Sequence, residues 1–199
     1  MTVTRRVQTI AVTIFFLSSP AFSGTIASLR GNFDGPNQVL LVPVTLTTTS
    51  ILTIQTYGYG GSSNATNGKN LTGFVIPPGG FDPSVFLIDA SGNEIAENDD
   101  GVCPPGANDP TTHLCLDATL VRTLNTGSYQ VAMVAFHNDL NTPNLSGGWK
   151  NTGDFNGRGT AYSLDIASVD IASIPEPGSA ALVLAGAVLG LFWRKRSKP

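Results

Sequence analysis

The sequence predicts an antiparallel all-β sandwich, and three observations carry that prediction. Gly, Pro, Asn, Asp and Thr punctuate the central part of the chain about every eight to twelve residues. Short β-branched or alternating runs lie between them. No amphipathic stretch of helical length interrupts the pattern. Strands are expected over residues 25–30, 38–46, 50–56, 85–89, 94–97, 118–124, 128–136 and 161–167.

Each expectation has a local reason. The runs at 25–30 and 38–46 are β-branched and bounded by turn residues. In 50–56, Ile51, Thr53 and Gln55 alternate with Leu52, Ile54 and Thr56, the period-two signature of a strand. The apolar run 85–89 and the run 94–97 flank Asp89-Ala90-Ser91-Gly92-Asn93, which reads as a hairpin turn. Leu124-Asn125-Thr126-Gly127-Ser128 reads as a second hairpin turn, joining 118–124 to 128–136, with Gly127 free to take positive φ. Residues 58–68 form a Gly/Ser/Asn loop, and residues 143–159 form a second long loop containing Trp149, before the last strand at 161–167.

The two ends of the chain are different material. Arg5 and Arg6, an apolar run from Ile10 to Leu17 and Ser18-Ser19-Pro20-Ala21-Phe22-Ser23 have the three-part layout of a secretory signal peptide cut after Ser23. At the far end, Pro175-Glu176-Pro177-Gly178 precedes an uncharged stretch from Ser179 to Trp193 and then Arg194-Lys195-Arg196. Fifteen helical residues rise roughly 22 Å, against a hydrocarbon core of roughly 30 Å. The stretch reads as a short transmembrane helix, with Trp193 at the interface and the basic end on the cytoplasmic side. The chain therefore divides into a signal peptide (residues 1–23), a folded domain (24–174) and a C-terminal tail (175–199).

Pro175-Glu176-Pro177, the apolar helix and the Arg-rich end resemble a PEP-CTERM sorting signal. The resemblance implies an exported protein of a Gram-negative bacterium that makes extracellular polysaccharide. It also implies an exosortase, a membrane cysteine transpeptidase, as the processing partner, with Pro175, Glu176 and Pro177 as recognition residues. The implied destination, after transient anchoring in the inner membrane by the stretch from Ser179 to Trp193, is the cell surface or extracellular matrix.

Charge separates the domain from its ends. Residues 24–174 hold thirteen acids against five bases, a net charge of −8, whereas the whole chain carries −3. An acidic domain with scattered bases excludes nucleic-acid binding through phosphate neutralisation and favours cations. Cys103 and Cys115 are the only cysteines. In an oxidising compartment they most simply form one disulfide, stabilising the intervening loop by roughly 3 kcal/mol; a two-thiol metal site is the alternative.

The densest chemistry is oxygen-only: Asp82, then Asn98, Asp99 and Asp100, then Asp117. In a sandwich these positions can meet at one end, where they either hold Ca²⁺, which takes six to eight oxygens, or form a solvated acidic turn with Asx hydrogen bonds. The stretch from Gly79 to Gly101, the step Asp117 to Leu120 and the run Leu124-Asn125-Thr126-Gly127-Ser128-Tyr129-Gln130-Val131-Ala132 resemble the bacterial pre-peptidase C-terminal domain. That resemblance covers most of residues 30–137. It implies a jelly-roll-like sandwich acting as a non-catalytic accessory module, with Asp82, Asp99, Asp100 and Asp117 as metal candidates. The segment from Cys103 to Cys115 departs from the pattern and bears on the place of Asp117.

No G-x-S-x-G elbow, H-E-x-x-H or S-x-x-K motif is present, and neither His113 nor His137 has a catalytic setting, so no enzyme is expected. Two functions fit. The first is a non-catalytic exported surface or matrix protein associated with extracellular polysaccharide. The second is a glycan- or calcium-binding module, in which Tyr57, Tyr59, Trp149 and Phe155 would stack on sugar faces or else cap the core.

Overall fold

The structure is a computed structural model, and it describes residues 23–62, 68–101 and 108–171. The signal peptide read over 1–23 (apart from Ser23), Cys103, the sorting motif Pro175-Glu176-Pro177 and the apolar stretch from Ser179 to Trp193 lie outside the described residues. Among the described residues no helix is long and apolar enough to cross a membrane.

Among the described residues eight strands form: β1 (Ser23–Asn32), β2 (Leu40–Leu46), β3 (Ser50–Thr56), β4 (Pro83–Asp89), β5 (Glu94–Asn98), β6 (Thr119–Leu124), β7 (Gly127–Ala135) and β8 (Ala161–Asp170). They make two four-stranded antiparallel sheets, ordered β1-β8-β3-β6 and β2-β7-β4-β5. Strand partners nest about the β4–β5 hairpin, with β3 beside β6, β2 beside β7 and β1 beside β8. The chain is one long hairpin rolled into two sheets, which is the double-sheet jelly roll.

The alternation read from the sequence decides which side chains face inward. Val42, Val44 and Leu46 point into the sandwich from β2, as do Leu52 and Ile54 from β3. They meet Val85 and Leu87 of β4, Val131 and Met133 of β7, and Leu164 and Ile166 of β8. Pro43 sits on the exposed face of β2, an edge strand, where a missing N–H is tolerated. At one end of this core four rings close the gap between the sheets: Phe33 lies 4.9 Å from Phe81 and 5.3 Å from Tyr162, and Phe81 lies 5.2 Å from Phe155.

Parts of β4, β7 and β8 are buried on both faces because loops lie over the outside of each sheet. Phe86, Ile88, Ala132 and Val134 point outward from β4 and β7, yet are sealed under Val39, Leu140, Leu145 and Trp149. On the other sheet, Asp165 points outward from β8 and is buried beneath the segment that follows β3.

Nesting also sorts the connections. The short turns, residues 47–49, 90–93 and 125–126, lie at one pole, together with both ends of the folded body, since Ser23 pairs with Val169. The described residues of the long connections, 33–39, 57–62 with 68–82, 99–101 with 108–118, and 136–160, lie at the other. Asp89 shapes one short turn by accepting the Ser91 and Asn93 N–H groups at 2.8 Å, with Gly92 at φ 84°. Gly127 corrects an expectation: it takes no positive φ and instead opens β7, paired with Leu46.

Two substitutions test this packing. Leu87→Ala should cost about 2–5 kcal/mol, as for other buried leucines. The Ser163 hydroxyl is buried without a hydrogen-bond partner, so Ser163→Ala should stay within about 1 kcal/mol of wild type or stabilise. Urea denaturation of the folded domain measures both.

Candidate functional site: the acidic long-loop pole

The residues of the expected oxygen cluster all lie in or beside the long connections at one end. Asp82 immediately precedes β4, Asn98 ends the neighbouring β5, Asp99 and Asp100 follow it, and Asp117 lies just before β6. Gly80 makes the approach tight: a methyl group there would overlap the carbonyl oxygens of Ala161 and Gly58.

The carboxylates fall into two kinds. Asp117 is buried and serves its own backbone. Its Oδ1 accepts the Tyr59 N–H at 3.0 Å and the Thr56 hydroxyl at 3.1 Å, and its Oδ2 accepts the Gly60 N–H at 2.7 Å. Burial pushes its carboxyl up, while those donors pull it down. Asp117 is thus a latch for the segment leaving β3. Asn98 is partly engaged, its Oδ1 facing the Thr119 N–H at 3.4 Å.

Asp82 is the opposite case. Its Oδ1 is buried with no hydrogen-bond partner. Burial, then the charges of Asp100, Asp99 and Asp117, push its carboxyl from 3.8 to about 7, with Arg158 opposing. Burial and Asp99 also raise Asp100. Among the described residues no three His, Cys, Asp or Glu side chains are gathered into a ready metal cage.

Sequence reasoning passed over the residue that organises this pole, Arg158. Its Nε donates to the Gly80 carbonyl at 2.6 Å, and one Nη donates to the Tyr59 carbonyl at 3.0 Å and to Asp109 Oδ2 at 2.9 Å. The guanidinium also lies 3.7 Å from the centre of the Tyr59 ring. One cation thereby joins three of the four long connections. Asp109 completes the arrangement, its Oδ1 accepting from the Thr111 and Thr112 N–H groups at 3.0 and 2.7 Å. Burial works to raise its carboxyl, but Arg158 and the Thr112 donors outweigh it and hold it at about 2. The signal available in sequence was an Asp-Pro-Thr-Thr turn and a lone base inside Asn156-Gly157-Arg158-Gly159.

A second latch lies outside the expected cluster. Asp165 accepts the Ser28 hydroxyl at 2.5 Å and the Leu71 N–H at 2.7 Å, pinning the β3–β4 segment onto the outer face of β8 and β1. Burial and then Asp165 hold the Tyr57 phenol above its ordinary pKa.

The aromatic residues offered as sugar platforms are committed elsewhere. Tyr57 and Tyr59 are buried, at 7% and 3% exposure, the first against Asp165 and the second under Arg158. Trp149 is half-buried, edge-on to Phe86 at 5.3 Å, and Phe155 packs on Phe81. Trp149 and Phe155 pack against the two apolar clusters.

The oppositely shifted acids give a pH test. Asp82 is raised in the fold, so it costs stability progressively as pH climbs from about 4 to about 7, and in full above that. Asp109 is depressed, so it contributes stability above about 4 that is lost as pH falls toward 2. Asp82→Asn should therefore raise the melting temperature at pH 8 by a few degrees (~2–5 °C) and leave it unchanged near pH 4. Asp109→Asn should lower it at pH 8 and converge with wild type near pH 2. Thermal melts across pH read both.

Residues 173–197 match the PEP-CTERM protein-sorting motif. No curated protein matches the chain. Among solved structures, the folded part is similar to the pre-peptidase C-terminal domain of a collagenase from Bacillus anthracis, at 10% identity and a TM-score of 0.38, covering 70% of this chain and 87% of that one. The sandwich stands on the strand pairing of this chain itself. The motif at its C-terminal end implies an exported protein, transiently anchored in a membrane and sorted by an exosortase.

Proposed function

We propose that this chain is a non-catalytic protein of the cell surface or extracellular matrix of a Gram-negative bacterium, delivered by its C-terminal signal and working within extracellular polysaccharide. The observation that carries the reading is the sorting motif over residues 173–197. In this reading residues 1–23 are the signal peptide, residues 24–174 the delivered sandwich and residues 175–199 the sorting tail, with Cys103 and Cys115 joined as a disulfide after export. The polar groups of the long-loop pole support a non-catalytic role, because Asp117, Asp165, Asp109 and Arg158 bind the backbone of the chain itself. The test is Glu176→Ala in the full chain, expressed in cells that carry an exosortase. The variant should accumulate unprocessed in the membrane fraction, as read by mass spectrometry of its C-terminus. Processing at the wild-type rate would remove the reading.

A second reading is favoured by one observation, the orphaned Asp82 oxygen among neighbouring acids. A calcium ion held by Asp82, Asp99 and Asp100, with Asn98 beside them, would supply the missing partner and remove the repulsion. Asp117 would contribute charge at a distance, its oxygens being occupied. Millimolar calcium at pH 7.5 should then raise the melting temperature of wild type and leave Asp82→Asn unmoved. Equal response of the two proteins, or none, would retire the site.

A further inference from the structure

The short-turn pole is built around the place where the chain leaves the fold. The Ile171 N–H donates to the Thr49 carbonyl at 3.0 Å. Thr48 Oγ1 and Ser50 Oγ both donate to Asp170 Oδ1, at 2.7 and 2.9 Å. The β2–β3 turn therefore clamps the last residues of β8. Ser50 pairs with Leu124 and Leu46 with Gly127, which brings the β6–β7 turn alongside. Thr47, Thr49, Asn125 and Thr126 are the exposed residues of these two turns. All four are uncharged, and the Asp170 carboxylate between them is taken up in hydrogen bonds. In a domain of net charge −8, the exit point is a hydroxyl-rich collar whose one charge is the hydrogen-bonded Asp170 carboxylate.

Only Ala172, Ser173 and Ile174 separate Ile171 from Pro175. Four residue steps, fully extended, reach at most about 14 Å. An enzyme that encloses Pro175-Glu176-Pro177 must grip chain on both sides of the bond it attacks, so its rim comes up against the collar. Fraying of β8 would lengthen the tether, and the Asp170 clamp opposes fraying.

We propose that the collar of Thr47, Thr49, Asn125 and Thr126 is the surface on which the membrane-embedded sorting enzyme docks, with the domain folded during processing. The proposal rests on the sorting reading above. The collar suits such a contact: a charge buried there without a partner would be costly, its four exposed side chains carry none, Asp170 keeps its own hydroxyl donors, and small hydroxyl and amide groups let two surfaces approach closely. The long-loop pole, with its unsatisfied acid, faces away from the enzyme.

The experiment uses the full chain in exosortase-bearing cells and follows processing over time by mass spectrometry. Thr49→Lys with Thr126→Lys should slow processing by about tenfold or more, the cost of an unpaired charge in a contact. A flexible Gly-Ser insert of about twelve residues after Ile174 adds roughly 20 Å of reach. Processing of the inserted chain should no longer depend on the two lysines. Melting temperatures of the purified variants confirm that they fold. Wild-type processing of the double-lysine chain at native tether length would overturn the docking surface. So would equal slowing with and without the insert, which would assign the effect to export or folding. Glu176→Ala runs in parallel: if it blocks processing while the lysines have no effect, docking fails and sorting stands, and if it has no effect, sorting itself fails.

Discussion

A loop that crosses a hydrophobic surface carries backbone N–H groups out of water, and each needs an acceptor. That constraint governs this fold more than its core does. The rolled hairpin assigns all four long connections to one pole, and several run over the outer faces of sheets. Helices or extra strands would meet the demand with backbone partners. Here buried carboxylates meet it: Asp117 for Tyr59 and Gly60, Asp165 for Leu71, and Asp109 for Thr111 and Thr112. A carboxylate offers several acceptor sites and forms the stronger, charge-assisted class of hydrogen bond, which suits it to holding irregular chain.

The cost of that solution is negative charge concentrated in a small volume, and Arg158 offsets it at one point. The guanidinium has the right shape because it presents several donors in a fixed plane and still has a face to lay on Tyr59. A lysine at the same place would satisfy fewer carbonyls. Asp82 is where the arrangement stays incomplete. It feels Arg158, but it is closer in effect to Asp99 and Asp100, and its inner oxygen has no donor.

The fold was largely legible from sequence because strand and turn signals are local. The alternation in 50–56 became β3 without a shift at either end, and the Asp89 turn formed as read. What failed depended on tertiary neighbours. β8 was expected to stop at residue 167 but runs to Asp170, because β1 and β3 both continue to pair with it. Asp165, a polar residue between Leu164 and Ile166, reads as solvent-facing, and nothing nearby in sequence tells that residues near 71 fold over it. The acids of the candidate site stand out in the sequence because they are clustered in the chain. Their hydrogen-bond partners do not, since a carboxylate bound to N–H groups and one left bare look alike there. Arg158 was invisible for the same reason: its partners lie near 59, 80 and 109.

The position of β8 has a mechanical consequence. It sits between β1 and β3, paired to both along most of its length, and the chain runs on from Asp170 toward the C-terminal tail. Tension applied through that tail pulls β8 along its own axis. Two ladders of backbone bonds then bear the load in shear together, where a strand peeled sideways would give them up one by one. A domain tethered at this end and exposed to flow would hold its shape under drag.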